Sequence, residues 1–154
     1  ELFLAFSSSL SKFDNEHGMA NSRARLRMTT LYQVAAANKG IVVGTGNKVE
    51  DFGVGFYTKY GDGGVDISPI ADCNKSQVWE LGKELGILKE IIDAAPTDGL
   101  WDDGRTDEGQ LGLKYQELEE AMNNPNSPNR AKYEIIRKQN LHKMEPIPVC
   151  KIPN

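Results

Sequence analysis

A short apolar run that ends in two glycines constrains this chain more than any other stretch. Residues 41–43 are isoleucine and two valines, and Gly44-Thr45-Gly46 follows them directly. A β-branched run this short, bounded by glycines, is typical of a strand that is buried on both faces of a parallel sheet. Ligands of open α/β sheets bind just beyond the carboxyl ends of the strands. The pattern therefore predicts an α/β fold in which Thr45 lies at an anion-binding edge.

The glycine-rich stretch 47–75 carries charges that a ligand could use. It contains too many glycines to be helix or strand throughout, so its side chains are expected on loops. The charged residues singled out here are Glu50, Lys59, Asp62, Asp66 and Lys75. Charges held on such a loop suggest a binding site.

Length and charge limit the class of protein. A chain of 154 residues suits a single domain, spanning 1–154, that buries roughly 70% of the surface of its unfolded form. The 18 basic and 22 acidic residues give a net charge of −4, which argues against a general nucleic-acid or membrane-surface binder. No apolar run approaches the roughly 20 residues needed to cross a bilayer. Neither nucleic acid nor membrane is expected as a partner.

Cysteine usage favours a reducing compartment. Cys73 and Cys150 lie far apart, and the chain has neither a Cys-x-x-Cys motif nor paired histidines. This pattern indicates neither a disulfide framework nor a zinc site, and a cytoplasmic location is the simpler interpretation. The first ten residues superficially resemble a secretory signal, but they lack an initiator methionine and a basic n-region. We expect them to be the cut end of a longer chain.

Helical periodicity predicts helices on both sides of the glycine-rich stretch. The predicted helices are 19–38, a helix from about 74 that Gly86 closes, 89–95, 115–122 and 130–140. In the second of these, Asn74 and Gln77 are spaced as an N-cap and its N3 partner, and residues 78, 81 and 85 form an apolar stripe. Segment 97–108 is predicted to be a long polar loop, and the proline-rich end 146–154 to be extended.

Several of these segments together resemble the carboxyl-terminal part of NAD synthetase, in the order in which that family has them. The resemblance runs from about residue 21 to residue 148. Its blocks are Val43-Gly44-Thr45-Gly46-Asn47-Lys48-Val49-Glu50, Phe56-Tyr57-Thr58-Lys59-Tyr60-Gly61-Asp62-Gly63-Gly64-Val65-Asp66, Asn74-Lys75, Ala95-Pro96-Thr97, Thr106-Asp107-Glu108 and His142-Lys143. The resemblance implies a Rossmann-like fold of the adenine nucleotide alpha-hydrolase type, with a parallel sheet flanked by helices, and a homodimer.

The reaction that this resemblance implies is the ATP-dependent amidation of deamido-NAD to NAD. The substrate carboxylate is adenylated and ammonia then attacks it, so that AMP and pyrophosphate are released. The implied requirements are ATP as a substrate, Mg²⁺, deamido-NAD and ammonia. The ammonia is either free or supplied by a glutaminase domain.

The resemblance places the ATP contacts at Thr45, Lys75 and Thr97, and a magnesium ligand at Glu50. Hydroxyls and a lysine at such positions suit phosphate oxygens, and a hard cation that bridges phosphates needs a carboxylate near them. Each residue taken singly also has a structural interpretation. Thr45 could be a turn threonine and Lys75 a surface lysine. Thr97 could be a helix cap, and Glu50 an exposed helical glutamate.

The resemblance assigns the deamido-NAD contacts to Arg25, Lys59, Asp66 and the pair His142-Lys143. Basic side chains suit a pyrophosphate, and an aspartate suits ribose hydroxyls. A solvated helix face is the alternative for the arginines of 23–27.

Charge neutralisation is the catalytic role that the implied chemistry needs most. Lys59 and Lys75 are expected to stabilise the negative charge on the phosphates during adenylation. We expect Thr45, Glu50 and these two lysines to line one polar pocket.

The chain departs from the family in one respect. The amino-terminal Ser-Gly-Gly-x-Asp-Ser loop of the family, which holds ATP phosphates and supplies a second magnesium carboxylate, occurs nowhere in the 154 residues. The three serines at 7–9 lack its glycines and its aspartate. The amino-terminal part of the domain is therefore expected to be missing. One alternative is a truncated, catalytically incompetent fragment that binds the dinucleotide or dimerises. Another treats the glycine block as a structural loop.

The 154 residues alone are expected to bind ATP poorly and to turn over negligibly. The missing loop supplies most of the backbone N–H groups that hold a triphosphate. An ammonia-dependent synthetase assay on this chain measures the outcome, and normal turnover would contradict the prediction.

Overall fold

Helices make up most of the regular structure in residues 1–153, the part of the chain that the computed structural model describes. They are α1 (Leu2–Ser9), α2 (Glu16–Ala37), α3 (Lys75–Glu84), α4 (Lys89–Ile92), α5 (Asp107–Leu111), α6 (Tyr115–Asn123) and α7 (Arg130–Met144), with a 3-10 turn at Ser11–Phe13 and a π-helical turn at Val49–Val54. Residues 146–153 carry no helix or strand, as predicted for the proline-rich end. Asn154, the last residue of that prediction, lies outside the described range.

Helix α2 confirms the first predicted helix and extends it at the amino end. The Asn15 side chain accepts the N–H of Gly18 at 2.7 Å, so the helix begins at Glu16. At the other end the N–H of Gly40 donates to the carbonyl of Ala35 at 2.8 Å. Both caps are therefore set by residues that favour a helix boundary.

The predicted parallel sheet is reduced to one bridge within residues 1–153. Val43 and Ile67 form an isolated parallel bridge, in which the N–H of Gly44 donates to the Ile67 carbonyl at 2.7 Å. The prediction that run 41–43 is buried on both faces is wrong, since Ile41 and Val43 are 59% and 52% exposed. A strand becomes buried on both faces only where strands pair along it and helices cover the sheet. In the described residues its single partner is the segment around Ile67.

The remaining predicted helices are present with shifted ends. Helix α3 stops before Gly86, which has a φ of +70°, and the N–H of Ile87 donates back to the Gly82 carbonyl at 2.9 Å. The predicted stripe on α3 is not its buried face, because Leu85 is 77% exposed and Trp79 packs against the core instead. Segment 97–108 is a loop as predicted until Asp107, where α5 begins.

The core lies where α6 and α7 pack against the π-helical turn Val49–Val54. Its buried residues are Val49, Val54, Leu111, Leu113, Tyr115, Leu118, Ala121 and Tyr133. Gly55 ends the turn with a φ of +66°, and a Cβ there would lie 2.6 Å from the Cβ of Asn140. The missing side chain therefore lets α7 approach the turn closely. Within residues 1–153 no helix combines the length and the apolar character that crossing a membrane requires.

Leu118→Ala is expected to lower the free energy of unfolding by about 2–5 kcal/mol, because Leu118 is fully buried in this core. The matched control is Leu85→Ala, in which the same atoms are removed from an exposed side chain, with an expected change within about 0.5 kcal/mol. Urea denaturation followed by circular dichroism measures both. Equal losses in the two variants would show that the core has been placed wrongly.

Candidate functional site

Asn47 and Glu50 cap each other at the start of the π-helical turn. Asn47 is buried, and its Oδ1 accepts the N–H groups of Val49 at 3.0 Å and of Glu50 at 3.2 Å. Glu50 Oε2 in turn accepts the N–H of Asn47 at 3.3 Å. This reciprocal pair is a capping box, and it fixes both the backbone and the carboxylate of Glu50.

The other oxygen of Glu50 joins α3 to α6. Glu50 Oε1 accepts from Lys75 Nζ at 3.1 Å and from Tyr115 Oη at 2.5 Å. The side chains of Lys75 and Glu50 are only 18% and 15% exposed, so their ion pair is shielded from water. Lys75 Nζ also lies 4.8 Å from the centre of the Tyr115 ring. Burial and the Glu50 charge raise the pKa of the Tyr115 phenol, which therefore stays protonated.

Lys75 is held in place by its neighbour in the chain. The Ser76 hydroxyl donates to Glu119 Oε2 at 2.7 Å, and the Ser76 N–H donates to Glu119 Oε1 at 2.9 Å. These two bonds tie the first turn of α3 to α6. The lysine that pairs with Glu50 therefore projects from a fixed helix end.

Asp107 approaches the same phenol from α5. Thr106 caps α5 by accepting the N–H of Gly109 at 3.1 Å, which places Asp107 at the first helical position. Asp107 Oδ2 lies 3.2 Å from Tyr115 Oη, whereas Oδ1 is buried and has no hydrogen-bond partner within residues 1–153. Burial raises the pKa of the Asp107 carboxyl, and the bond to Tyr115 lowers it.

A cavity of about 460 Å³ opens beside this network. Four residues predicted from the sequence line it together: Thr45, Glu50, Lys75 and Thr97. Lys59 does not line it, so the expectation that both lysines share one pocket is wrong. The Lys59 ammonium instead donates to the carbonyl of His142 at 2.8 Å, at the last turn of α7.

The residues predicted to contact the dinucleotide lie in more than one place. Arg25 Nε donates to the Lys59 carbonyl at 3.2 Å, so Arg25, Lys59 and His142 form one patch. Asp66 lies apart from it, because its carboxylate accepts the N–H of Val42 at 2.8 Å and the hydroxyl of Tyr32 at 3.3 Å. In this structure Asp66 stabilises the isolated β-bridge between Val43 and Ile67, because it bonds to the neighbouring residue Val42.

Lys143 faces a second, smaller cavity of about 230 Å³. Its Nζ donates to the carbonyls of Gly55 at 2.8 Å and Tyr57 at 2.7 Å, and the Tyr57 hydroxyl donates to the Lys143 carbonyl at 2.6 Å. Burial lowers the pKa of Lys143, and the charge of Asp62 opposes that shift. The lysine is therefore fixed at the cavity wall.

Asp51 lines both cavities. A Cβ at Gly46 would lie 2.3 Å from each of the Asp51 carboxylate oxygens, so the carboxylate packs directly on the Gly46 backbone. Burial and the nearby charges of Glu50 and Asp62 raise the pKa of Asp51 to about 6. The glycine of the predicted Gly-Thr-Gly turn is thus required by a side chain five residues later.

Sequence reasoning missed four residues of this site: Asn47, Asp51, Asp107 and Tyr115. The spacing of Asn47 and Glu50 is a capping-box signal, and Thr106 is a visible helix cap ahead of Asp107. Tyr115 offered no signal beyond its place in a helix, because its role depends on burial between segments that are distant in sequence.

Gly46→Ala is expected to destabilise the chain by about 1–3 kcal/mol, because the new methyl group overlaps the Asp51 carboxylate. In the double variant Gly46→Ala/Asp51→Ala much of this loss should be recovered, which a double-mutant cycle on urea denaturation detects. Gly40→Ala is the control, since a Cβ there meets only one atom, at 3.8 Å. Strictly additive effects of the two substitutions would contradict the proposed contact.

The model of the NAD synthase family matches residues 1–152. Relatives named NH(3)-dependent NAD(+) synthetase include one from Alkaliphilus oremlandii, 44% identical over 86% of this chain and 53% of its own length. Another, from Carboxydothermus hydrogenoformans, is 48% identical over 68% of this chain and 42% of its own length. The chain thus spans about half the length of these curated relatives.

Solved structures show the same relationship. A structure titled as NMN synthetase from Francisella tularensis superposes with a TM-score of 0.87 at 37% identity, over 99% of this chain and 63% of that one. The NH3-dependent NAD synthetase from Campylobacter jejuni shares the fold, with a TM-score of 0.69 at 23% identity, over 96% of this chain and 63% of that one. These neighbours imply a Rossmann-like nucleotide-binding fold. The chain belongs to the NAD synthase family.

Proposed function

We propose that this chain is the carboxyl-terminal part of an enzyme that amidates deamido-NAD to NAD with ATP and ammonia. The observation that carries the proposal is the convergence of Thr45, Glu50, Lys75 and Thr97 on one cavity, in a chain of this family. The names of the relatives support free ammonia as the nitrogen source. Residues 1–154 would then form a single partial synthetase domain that works as a homodimer in the cytoplasm.

The proposed reaction needs charge neutralisation more than it needs a protein nucleophile. The substrate carboxylate attacks the α-phosphorus of ATP and pyrophosphate leaves; ammonia then attacks the acyl carbon, AMP leaves, and the added nitrogen loses a proton. Lys75 is already oriented by Glu50 and by the fixed end of α3, so it can bind phosphate oxygens without first being ordered. Thr45 and Thr97 supply hydroxyl donors at the same cavity.

The donor set beside the cavity suits Mg²⁺. A buried carboxylate oxygen of Asp107 lacks any partner within residues 1–153, and hard cations prefer such oxygens. No group of three or more His, Cys, Asp or Glu side chains in the described residues is arranged to hold a metal, so water molecules, or substrate phosphates when present, would complete the site. Glu50 would hold the ion, which supplies charge neutralisation at the phosphates.

The dinucleotide is proposed to contact the patch of Arg25, Lys59 and His142, together with Lys143 and Asp66. Lys59 and Lys143 now donate to carbonyl groups, so a pyrophosphate would have to replace those bonds. Lys59 is also assigned a role in stabilising the negative charge on the phosphates, although it does not line the 460 Å³ cavity. The alternative of a catalytically incompetent, dinucleotide-binding or dimerising fragment predicts that calorimetry detects deamido-NAD binding without ATP binding.

A second candidate is the same amidation on a mononucleotide. It is favoured by the likeness to the structure titled NMN synthetase, which superposes better than the NAD synthetase from Campylobacter jejuni. The chemistry at the carboxylate is identical, and only the adenylate half of the substrate differs. Comparing kcat/KM for deamido-NAD and for nicotinate mononucleotide separates the two candidates.

Lys75→Met in the natural-length enzyme is expected to lower kcat at least about 100-fold, because it removes a preoriented phosphate donor. AMP release from ATP, deamido-NAD and ammonium measures the effect. Lys83→Met is the matched control, since it removes an exposed lysine from the same helix and should leave kcat unchanged. An unaltered kcat in Lys75→Met would contradict the proposed role of Lys75 as a donor to the phosphates.

A further inference from the structure

Asp107 belongs to the motif Thr106-Asp107-Glu108, one of the blocks that resemble the family. The aspartate is 6% exposed, lines the 460 Å³ cavity and keeps one oxygen without a partner within residues 1–153. Burying a carboxylate oxygen without a hydrogen bond is costly. A buried carboxylate oxygen without a partner, on a residue that lines a cavity, is a candidate ligand atom.

The other carboxylates that line this cavity, those of Glu50, Asp51, Asp62 and Asp98, have no oxygen that is both buried and without a partner within residues 1–153. Both oxygens of Glu50 accept hydrogen bonds, from Asn47, Lys75 and Tyr115. Asp98 accepts from the Trp101 ring N–H at 3.2 Å and the Gln110 amide at 3.1 Å, and Asp62 accepts the Thr58 N–H at 2.8 Å. Among the carboxylates that line the cavity, Asp107 is the one with a buried oxygen that accepts nothing from the described residues.

The charges next to Asp107 point to a cation. Glu50 and Asp107 flank one phenol, and both lie close to it, with contacts of 2.5 Å and 3.2 Å to Tyr115 Oη. The phenol has a single hydrogen, so it cannot satisfy both carboxylates at once. Lys75 forms an ion pair with Glu50 at 3.1 Å, whereas the described residues form no ion pair with Asp107. Oxygen ligands and an excess negative charge match a hard divalent cation.

We propose that Asp107 is a protein ligand of a divalent cation at this cavity, with Oδ1 as its ligand atom and Glu50 as the neighbouring carboxylate. This inference rests on the proposed function, because the cation is the one that would bridge the ATP phosphates. It goes further in assigning the free ligand position to Asp107 on α5. Tyr115 then acts as a spacer that keeps the two carboxylates apart.

Mn²⁺ binding to the 154-residue chain without nucleotide tests the inference. The probe is Mn²⁺ alone, and the free ion is counted by electron paramagnetic resonance. Asp107→Asn is expected to weaken binding at least about tenfold relative to the unsubstituted chain. Asp93→Asn is the matched control, because it removes the same charge from an exposed position directly after α4 that does not line the cavity, and this variant should bind as the unsubstituted chain does. Circular dichroism verifies that each variant is folded.

Tyr115→Phe separates direct ligation from an indirect effect. If Oδ1 binds the ion, the Tyr115→Phe variant removes only the phenol hydroxyl that contacts the other oxygen, Oδ2. Mn²⁺ should then bind to this variant at least as tightly as to the unsubstituted chain. Equal weakening in Asp107→Asn and Tyr115→Phe would overturn the inference, since Asp107 would then act only through the buried network. Unchanged binding in Asp107→Asn, or no binding to the unsubstituted chain, would overturn it as well.

The two proposals fail separately. AMP release by the natural-length enzyme tests the amidation, whereas Mn²⁺ binding tests Asp107. A synthetase that releases AMP but binds Mn²⁺ independently of Asp107 would retain the proposed function and lose only this ligand.

Discussion

The reciprocal cap between Asn47 and Glu50 is the interaction on which the rest of the site depends. It ends the extended segment and starts a π-helical turn, and it occupies one carboxylate oxygen so that the other faces α3 and α6. A local backbone motif thus determines where a distant lysine and a buried tyrosine meet. The site and the hydrophobic core share Tyr115, whose ring packs in the core while its hydroxyl contacts the carboxylates.

Local signals in the sequence were sufficient to predict most helices. Asn74, Gln77 and Gly86 mark the two ends of α3 through backbone chemistry that acts over a few residues. Thr45, Glu50, Lys75 and Thr97 converge as the family resemblance implied. Local signals could not predict where Lys59 and Asp66 lie, because each is held by a residue that is distant in sequence. Lys59 donates to the His142 carbonyl, and Asp66 accepts the N–H of Val42.

Burial was the property that was predicted least accurately from the sequence. The β-branched run 41–43 has the composition of a covered strand, but burial is decided by what packs against a segment and not by its own side chains. The same reason explains why Trp79 of α3 packs against the core whereas Leu85, the residue after this helix, is exposed. Asp107 shows the converse, since it was predicted to lie in a polar loop but is the first residue of α5 and only 6% exposed.

The position of Asp51 between the two cavities has a geometric consequence. One carboxylate, seated on the bare backbone of Gly46, is part of the wall of both spaces. The two cavities also share Gly44, Asp62 and Val65 in their linings, so they are neighbours along one continuous stretch of the surface. Molecules held in them would lie side by side, with the Asp51 carboxylate in reach of both.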